Sequence, residues 1–271
     1  MGKLVFENVS PFDLSQTLDC GQSFRWGKNE DGTFTGVVRG VVAKAKYENG
    51  TLTLESNSEL ERKMWESYFD LGLDYAEIKS NLSKMHPVLK EASSYAGGIR
   101  ILNQEPFEAL ITFIISQNNN ISRIKGIVER LCENFGEEIE NHYYAFPTAE
   151  KLASLSPDDL APIRAGFRHR YIIDAAKRVH FGEIDLEKLR TADYFEAQKE
   201  LMKITGVGVK VADCVLLYGL HRLESFPLDV WMKRALSTLF EGYKGDEFGL
   251  YGGIAQQYIF HYSRMHKELF D

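Results

Sequence analysis

The sequence predicts an α+β protein, with an N-terminal antiparallel β-sheet followed by an all-α remainder. Three observations carry that expectation. Short strand-forming runs, separated by turn signals, fill residues 1 to about 56. From Leu60 onward the spacing of apolar residues becomes helical. Between Phe107 and Ile115 the apolar residues cover most of a helix circumference, which calls for a central, buried helix.

The strand candidates, in order, are VFENV, SFRWG, the TFTGVV run, VVAKAKY and TLTLES. Glu30-Asp31-Gly32 and Glu48-Asn49-Gly50 supply turn chemistry between them. Helix candidates follow at Glu61 to Leu71 and Tyr75 to Met85, with a break at His86-Pro87. Pro106 suits the first turn of the central helix, and Ile121, Ile124, Val128 and Leu131 place one apolar stripe on the next. Ser156-Pro157-Asp158-Asp159 carries cap chemistry and predicts a further helix start. The chain divides on this reading into residues 1–97, a sheet domain with flanking helices, and residues 98–271, an all-helical region.

With 271 residues, 44% of them hydrophobic, the chain can bury a substantial core. No apolar run reaches the roughly 20 residues of a membrane span, and the start MGKLVFENVS has neither a basic leader nor an apolar signal stretch. A cytoplasmic protein is the expectation. Cys20, Cys132 and Cys214 are too few for a disulfide framework, a four-cysteine zinc site or a four-cysteine iron-sulfur cluster, so reduced thiols are expected, and no metal. The net charge of −7 weighs against a nucleic-acid partner. The distribution offsets this, because Arg164, Arg168, His169, Arg170, Lys177 and Arg178 lie close together and a local patch can serve a partner held on one face.

Chemistry concentrates in Leu201-Met202-Lys203-Ile204-Thr205-Gly206-Val207-Gly208-Val209-Lys210. A helix ends, two glycines turn the chain, and a second helix begins at once. Such a turn can be a plain connector, or it can aim backbone N–H groups and a helix N-terminus at a DNA phosphate. Lys210 stands in the first turn of the second helix, where the macrodipole disfavours a cation. It is either a solvated lysine or an amine kept neutral for attack on carbon. Asp229 follows Pro227-Leu228 at another helix start, as an N-cap or as an acidic partner to that amine.

The hairpin, Lys210 and the Pro-Leu-Asp229-Val run together resemble the signature of lysine-bearing helix-hairpin-helix DNA glycosylases. Three further stretches make the chain similar to the 8-oxoguanine DNA glycosylase family: Cys20-Gly21-Gln22-Ser23-Phe24-Arg25-Trp26, Ser116-Gln117-Asn118-Asn119-Asn120-Ile121-Ser122-Arg123, and Ile254-Ala255-Gln256-Gln257-Tyr258-Ile259-Phe260. The resemblance implies a helix-hairpin-helix glycosylase fold whose two helical subdomains flank an active-site cleft. It implies a bifunctional enzyme that flips 8-oxoguanine out of duplex DNA, excises it through a Lys210 Schiff base and nicks the strand, acting as a monomer without cofactor. Carried over by motif, Lys210 and Asp229 are catalytic, while Gly21, Cys214, Gln256 and Phe260 bind the base. Asn118 fills the gap in the duplex, Phe167 is the wedge, Arg123 and Arg168 face the unpaired partner base, and Gly206 and Gly208 hold phosphate.

Each role has a physical basis beside a plainer reading. Lys210 and Cys214 are four residues apart, as are Gln256 and Phe260, so each pair shares one helix face and two faces can clamp a flat base; the same spacing also serves ordinary packing. A Gly21 carbonyl would accept the N7 hydrogen of oxidised guanine and repel the N7 lone pair of guanine, a difference of about 1–3 kcal/mol. As a turn glycine it needs no such task. Three positions depart from the better-known animal members: Thr205 replaces a common proline, Phe167 a frequent tyrosine, and Trp231 a common histidine. The alternatives are a related glycosylase for another lesion and a DNA-binding module without catalysis.

Overall fold

The computed structural model describes residues 2–270. The sheet domain contains β1 (Gly2–Phe6), α1 (Leu14–Asp19), β2 (Trp26–Lys28), β3 (Phe34–Val38), β4 (Val41–Glu48) and β5 (Thr51–Ser56). The five strands pair antiparallel in the order β1-β5-β4-β3-β2. Between β4 and β5, Asn49 and Gly50 both adopt positive φ, at 50° and 79°, which is the two-residue hairpin geometry that the Asn-Gly pair favours. One face of the sheet buries Trp26, Phe34, Leu52 and Leu54 against Trp65, Tyr68 and Phe69, contributed by α2 (Arg62–Tyr68) and its C-terminal end. The Trp26 indole N–H donates to the Tyr68 hydroxyl at 2.7 Å, whereas the indole N–H of neighbouring Trp65 is buried without a hydrogen-bond partner among the described residues.

Two features of this region differ from the sequence expectation. The SFRWG run becomes strand only at Trp26, and α1 stands between two strand candidates, in a stretch where the sequence predicts no helix. Local chemistry explains the helix: the Asp13 carboxylate accepts from Gln16 N at 2.7 Å as its N-cap, and Leu14, Thr17 and Leu18 bury one face at helical spacing.

The helical part comprises α3 (Tyr75–Leu82), α4 (Pro87–Ala96), α5 (Pro106–Ser116), α6 (Ile121–Phe135), a small hairpin of β6 (Glu138–Glu140) and β7 (Tyr143–Tyr144), α7 (Ala149–Ala153), α8 (Arg168–His180), α9 (Tyr194–Leu201), α10 (Val209–Tyr218), α11 (Val230–Leu239) and α12 (Gly252–Met265). Central α5 is buried from Ala109 through Ile115 and packs against α6, α8 and α10, as its all-round apolar character requires. The helices α3 and α4 precede residue 98, yet they bury their apolar faces in the later helical core, α4 against α12. Ser156 and Asp159 do bond to each other, but they close a turn ahead of a short 3₁₀ segment, Ala161–Ile163, and the next α-helix waits until Arg168. Pro162, lacking an N–H, falls within that segment. Among the described residues no helix is long and apolar enough to cross a membrane.

Candidate active site

The turn from α9 to α10 is held in place by its glycines and by α8. Gly206 adopts φ +81°, and a Cβ built on it would lie 2.3 Å from the Tyr171 ring, so both the backbone and the close approach demand glycine. Thr205 N donates to Asp174 Oδ2 at 2.7 Å, tying the turn to α8. Gly208 is the N-cap of α10 and faces open space. The first N–H groups of α10 have no intrahelical acceptor and stand at an exposed helix N-terminus, an arrangement suited to an anion.

Lys210 and Cys214 project from one face of α10 into a small pocket, which Gly21, Phe113, Tyr218, Asp229, Gln256 and Phe260 help to line. The Lys210 amine is partly buried, 3.5 Å from Ser116 Oγ and 5.5 Å from the centre of the Phe113 ring. Phe113 in turn stacks on Tyr218, with ring centres 5.1 Å apart, so the floor beneath the amine is rigid and aromatic. Asp229 caps α11: one carboxylate oxygen accepts from Met232 N at 2.8 Å, which fixes the side chain and leaves the second oxygen without a hydrogen-bond donor among the described residues. Burial pushes the Cys214 thiol up to about 11, against the opposing pull of the Lys210 cation. It therefore presents a neutral, polarisable surface to the pocket.

Gly21 reaches this pocket from the sheet domain. It adopts φ +96°, and a Cβ there would sit 3.0 Å from Ile121 Cδ1. The adjoining Gln22 is fully buried and anchors the loop: its Nε2 donates to Thr17 O and Arg100 O, both at 2.8 Å, and its Oε1 accepts from Leu102 N at 2.9 Å. On the opposite wall, Gln256 is buried, its Nε2 donating to Pro227 O at 3.3 Å.

The loop between α5 and α6 separates three adjacent asparagines by task. Asn120 caps α6 by accepting from Arg123 N at 2.9 Å, and Asn119 Nδ2 donates to Ile115 O at 2.8 Å. Asn118 is exposed, with φ +50°. Arg123 is exposed on α6, and Phe167 is 56% exposed at the N-terminus of α8. Arg168 departs from the expectation of a side chain facing an unpaired base. It is buried, with Nε donating to Gln117 O at 2.9 Å, Nη2 donating to the same oxygen, and Nη1 donating to Ala165 O at 2.9 Å. A buried guanidinium must spend its N–H groups on nearby acceptors, and here two backbone carbonyls take them.

Comparison with known proteins now bears on this arrangement. A sequence model of the 8-oxoguanine DNA glycosylase N-terminal domain matches residues 4–110, and one of the HhH-GPD superfamily of base excision DNA repair proteins matches residues 111–246. The chain belongs to the 8-oxoguanine DNA glycosylase family. An N-glycosylase/DNA lyase of Saccharomyces cerevisiae is 34% identical over 264 residues, covering 86% of this chain and 69% of the yeast protein. The Clostridium acetobutylicum 8-oxoguanine glycosylase/lyase, solved with duplex DNA containing cytosine opposite 8-oxoguanine, superposes with a TM-score of 0.92 at 37% identity, covering 98% of this chain and 96% of that one. A DNA-3-methyladenine glycosylase of Bacillus subtilis is 33% identical over 167 residues, but these cover 60% of this chain and 55% of that protein.

Within this family member, the sequence departures acquire structural content. Thr205 supplies the N–H that bonds Asp174, a bond proline could not make. Trp231, partly buried, meets Phe270 edge-on with ring centres 6.1 Å apart. Phe167 lies under the Arg168 guanidinium, 4.4 Å from ring centre to Cζ. Sequence reasoning left Phe113, Tyr218 and Gln257 without roles, although all three line the pocket. Phe113 lies in the apolar run read as a buried helix and Tyr218 carries no motif; Gln257, polar and adjacent to Gln256, was the available signal.

Proposed function

We propose that this protein is a bifunctional glycosylase and lyase that removes 8-oxoguanine from duplex DNA. One observation carries the reading: the Lys210 amine and the Asp229 carboxylate open onto a single pocket whose other walls offer a thiol, an aromatic ring and a primary amide. Such a pocket suits a base taken out of the duplex stack. The extruded purine lies between Cys214 and Phe260, with Gln256 on its Watson–Crick edge and the Gly21 carbonyl toward N7. Asn118 fills the gap left behind and Phe167 wedges into the duplex, while Arg123 meets the estranged partner base. The hairpin at Gly206 and Gly208 holds the backbone phosphate.

Chemistry then follows from two groups. As the glycosidic bond lengthens, positive charge develops on the sugar and the Asp229 carboxylate stabilises it. The Lys210 amine, once it has given up a proton, adds to C1′, and the base leaves with the bonding electron pair and takes up that proton. Ring opening gives a Schiff base; loss of a C2′ proton then expels the 3′ phosphate and nicks the strand. No step calls for a metal or redox cofactor. The setting this reading implies is a cytoplasmic monomer, associated with the nucleoid when bound to DNA.

The test is excision from duplexes carrying 8-oxoguanine opposite each of the four bases, with base loss and strand nicking resolved on one gel. Release of 8-oxoguanine with accompanying nicks supports the reading. Release of alkylated bases alone would replace it with the other-lesion alternative, and binding without release would leave a DNA-binding module.

A further inference from the structure

The base pocket contains an amide whose donor end meets no oxygen or nitrogen acceptor among the described residues. Gln257 is 1% exposed, lines the pocket, and shares the pocket-facing side of α12 with Gln256 and Phe260. Its Oε1 accepts from the Tyr218 hydroxyl at 2.5 Å, while its Nε2 is buried beside the Cys20 thiol, a weak acceptor, with no oxygen or nitrogen acceptor among the described residues. Tyr218 has one hydrogen to give, and the Gln256 carbonyl lies further off, at 3.5 Å. The hydrogen therefore goes to Gln257. That assignment fixes both amides: the Gln256 oxygen stays free for a donor on the base, and the Gln257 NH₂ is turned away from the tyrosine.

A buried NH₂ left to a thiol is under-satisfied and calls for a stronger acceptor. We propose that Gln257 is a further base-contacting residue, its Nε2 donating to an exocyclic carbonyl oxygen of the extruded purine. The inference rests on the pocket being the base site. Gly21 stands on the N7 side of the base in that reading, and guanine oxidised at C8 carries carbonyl oxygens at C6 and C8 on either side of N7. Gln257 thus adds a donor beside the Gly21 acceptor and Gln256, and favours bases bearing carbonyls over those bearing amino groups at these positions.

The experiment measures equilibrium binding of wild type, Gln257→Leu and Tyr218→Phe to two duplexes, one with 8-oxoguanine on a 2′-fluorinated sugar that resists excision and one with a tetrahydrofuran abasic analogue at the same position. The informative quantity is the ratio of the two affinities. In Gln257→Leu the preference for the 8-oxoguanine duplex is expected to fall about 3- to 10-fold. Tyr218→Phe keeps the Gln257 donor and lowers the ratio less. Thermal melting identifies any variant that fails to fold, in which case Gln257→Met, closer in shape, replaces it. An unchanged ratio in a folded variant overturns the contact and makes Gln257 a packing residue. Wild type showing no preference for the lesion duplex would instead count against the proposed function itself, so the two failures are distinct.

Discussion

The guanidinium of Arg168 closes on the backbone carbonyl of Gln117, one residue before exposed Asn118. This joins the N-terminus of α8 to the loop between α5 and α6, and so fixes Phe167 and Asn118 relative to each other before any DNA arrives. Arg168 is in this light a positioning residue, whereas Arg123 keeps its side chain at the surface.

Arg168→Ala therefore strands the Gln117 and Ala165 carbonyls and is expected to lower stability by about 2–3 kcal/mol, read from urea unfolding. Affinity for lesion duplex should fall equally whatever base stands opposite. Arg123→Ala should leave the unfolding midpoint unchanged and alter the order of preference among the four opposite bases. A selective change of preference in Arg168→Ala would show that its guanidinium leaves Gln117 to read the partner base.

The two hairpin glycines separate shape from binding. Gly206→Ala meets both a positive φ and the Tyr171 ring and should destabilise the protein by about 2–4 kcal/mol. Gly208→Ala has φ −98° and an open surrounding, so the fold should hold to within roughly 0.5 kcal/mol. Its deficit should appear as weaker, salt-sensitive duplex binding in a titration at two ionic strengths.

Asp229 has a structural and a chemical task that one substitution divides. Asparagine still accepts from Met232 N, so Asp229→Asn should melt within a few degrees of wild type. Excision under single-turnover conditions should nevertheless slow by roughly 10²–10³-fold, because the amide carries no charge to balance the developing cation. Equal losses in melting temperature and rate would mean that the cap was its whole contribution.

Alkaline pH should weaken the fold. Burial raises the thiols of Cys20 and Cys214 to about 11 and that of Cys132 to about 12, while unfolded cysteine titrates near 8.5. Above about pH 8.5 the unfolded chain thus releases thiol protons that the folded chain retains. The stability they contribute is complete below that pH and is lost progressively through 11 to 12. Urea midpoints at pH 7.5 and pH 10 should fall in that order, and native Cys214 should resist iodoacetamide at neutral pH, since the thiolate is the reacting species.

How much was legible beforehand depended on whether a residue's role was local. The Asn49-Gly50 hairpin and the buried α5 follow from neighbouring residues alone, and both stand where the sequence placed them. Lys210, Asp229, Gly21, Gln256 and Phe260 come from distant segments, and only the resemblance could predict that they share a pocket. The α1 helix escaped notice because its six residues sit amid strand-forming runs, with a single cap to mark them. Arg168 read as a DNA contact because its acceptors are backbone carbonyls, which no sequence motif announces.

Borohydride trapping addresses the central claim most directly, because it converts a Lys210 Schiff base into a stable protein–DNA bond. With duplex containing 8-oxoguanine, wild type should form a covalent adduct whose modified peptide contains Lys210, and Lys210→Gln should bind the same duplex yet form none. An undiminished adduct in Lys210→Gln, or 8-oxoguanine excision by wild type with no trappable adduct, would contradict it.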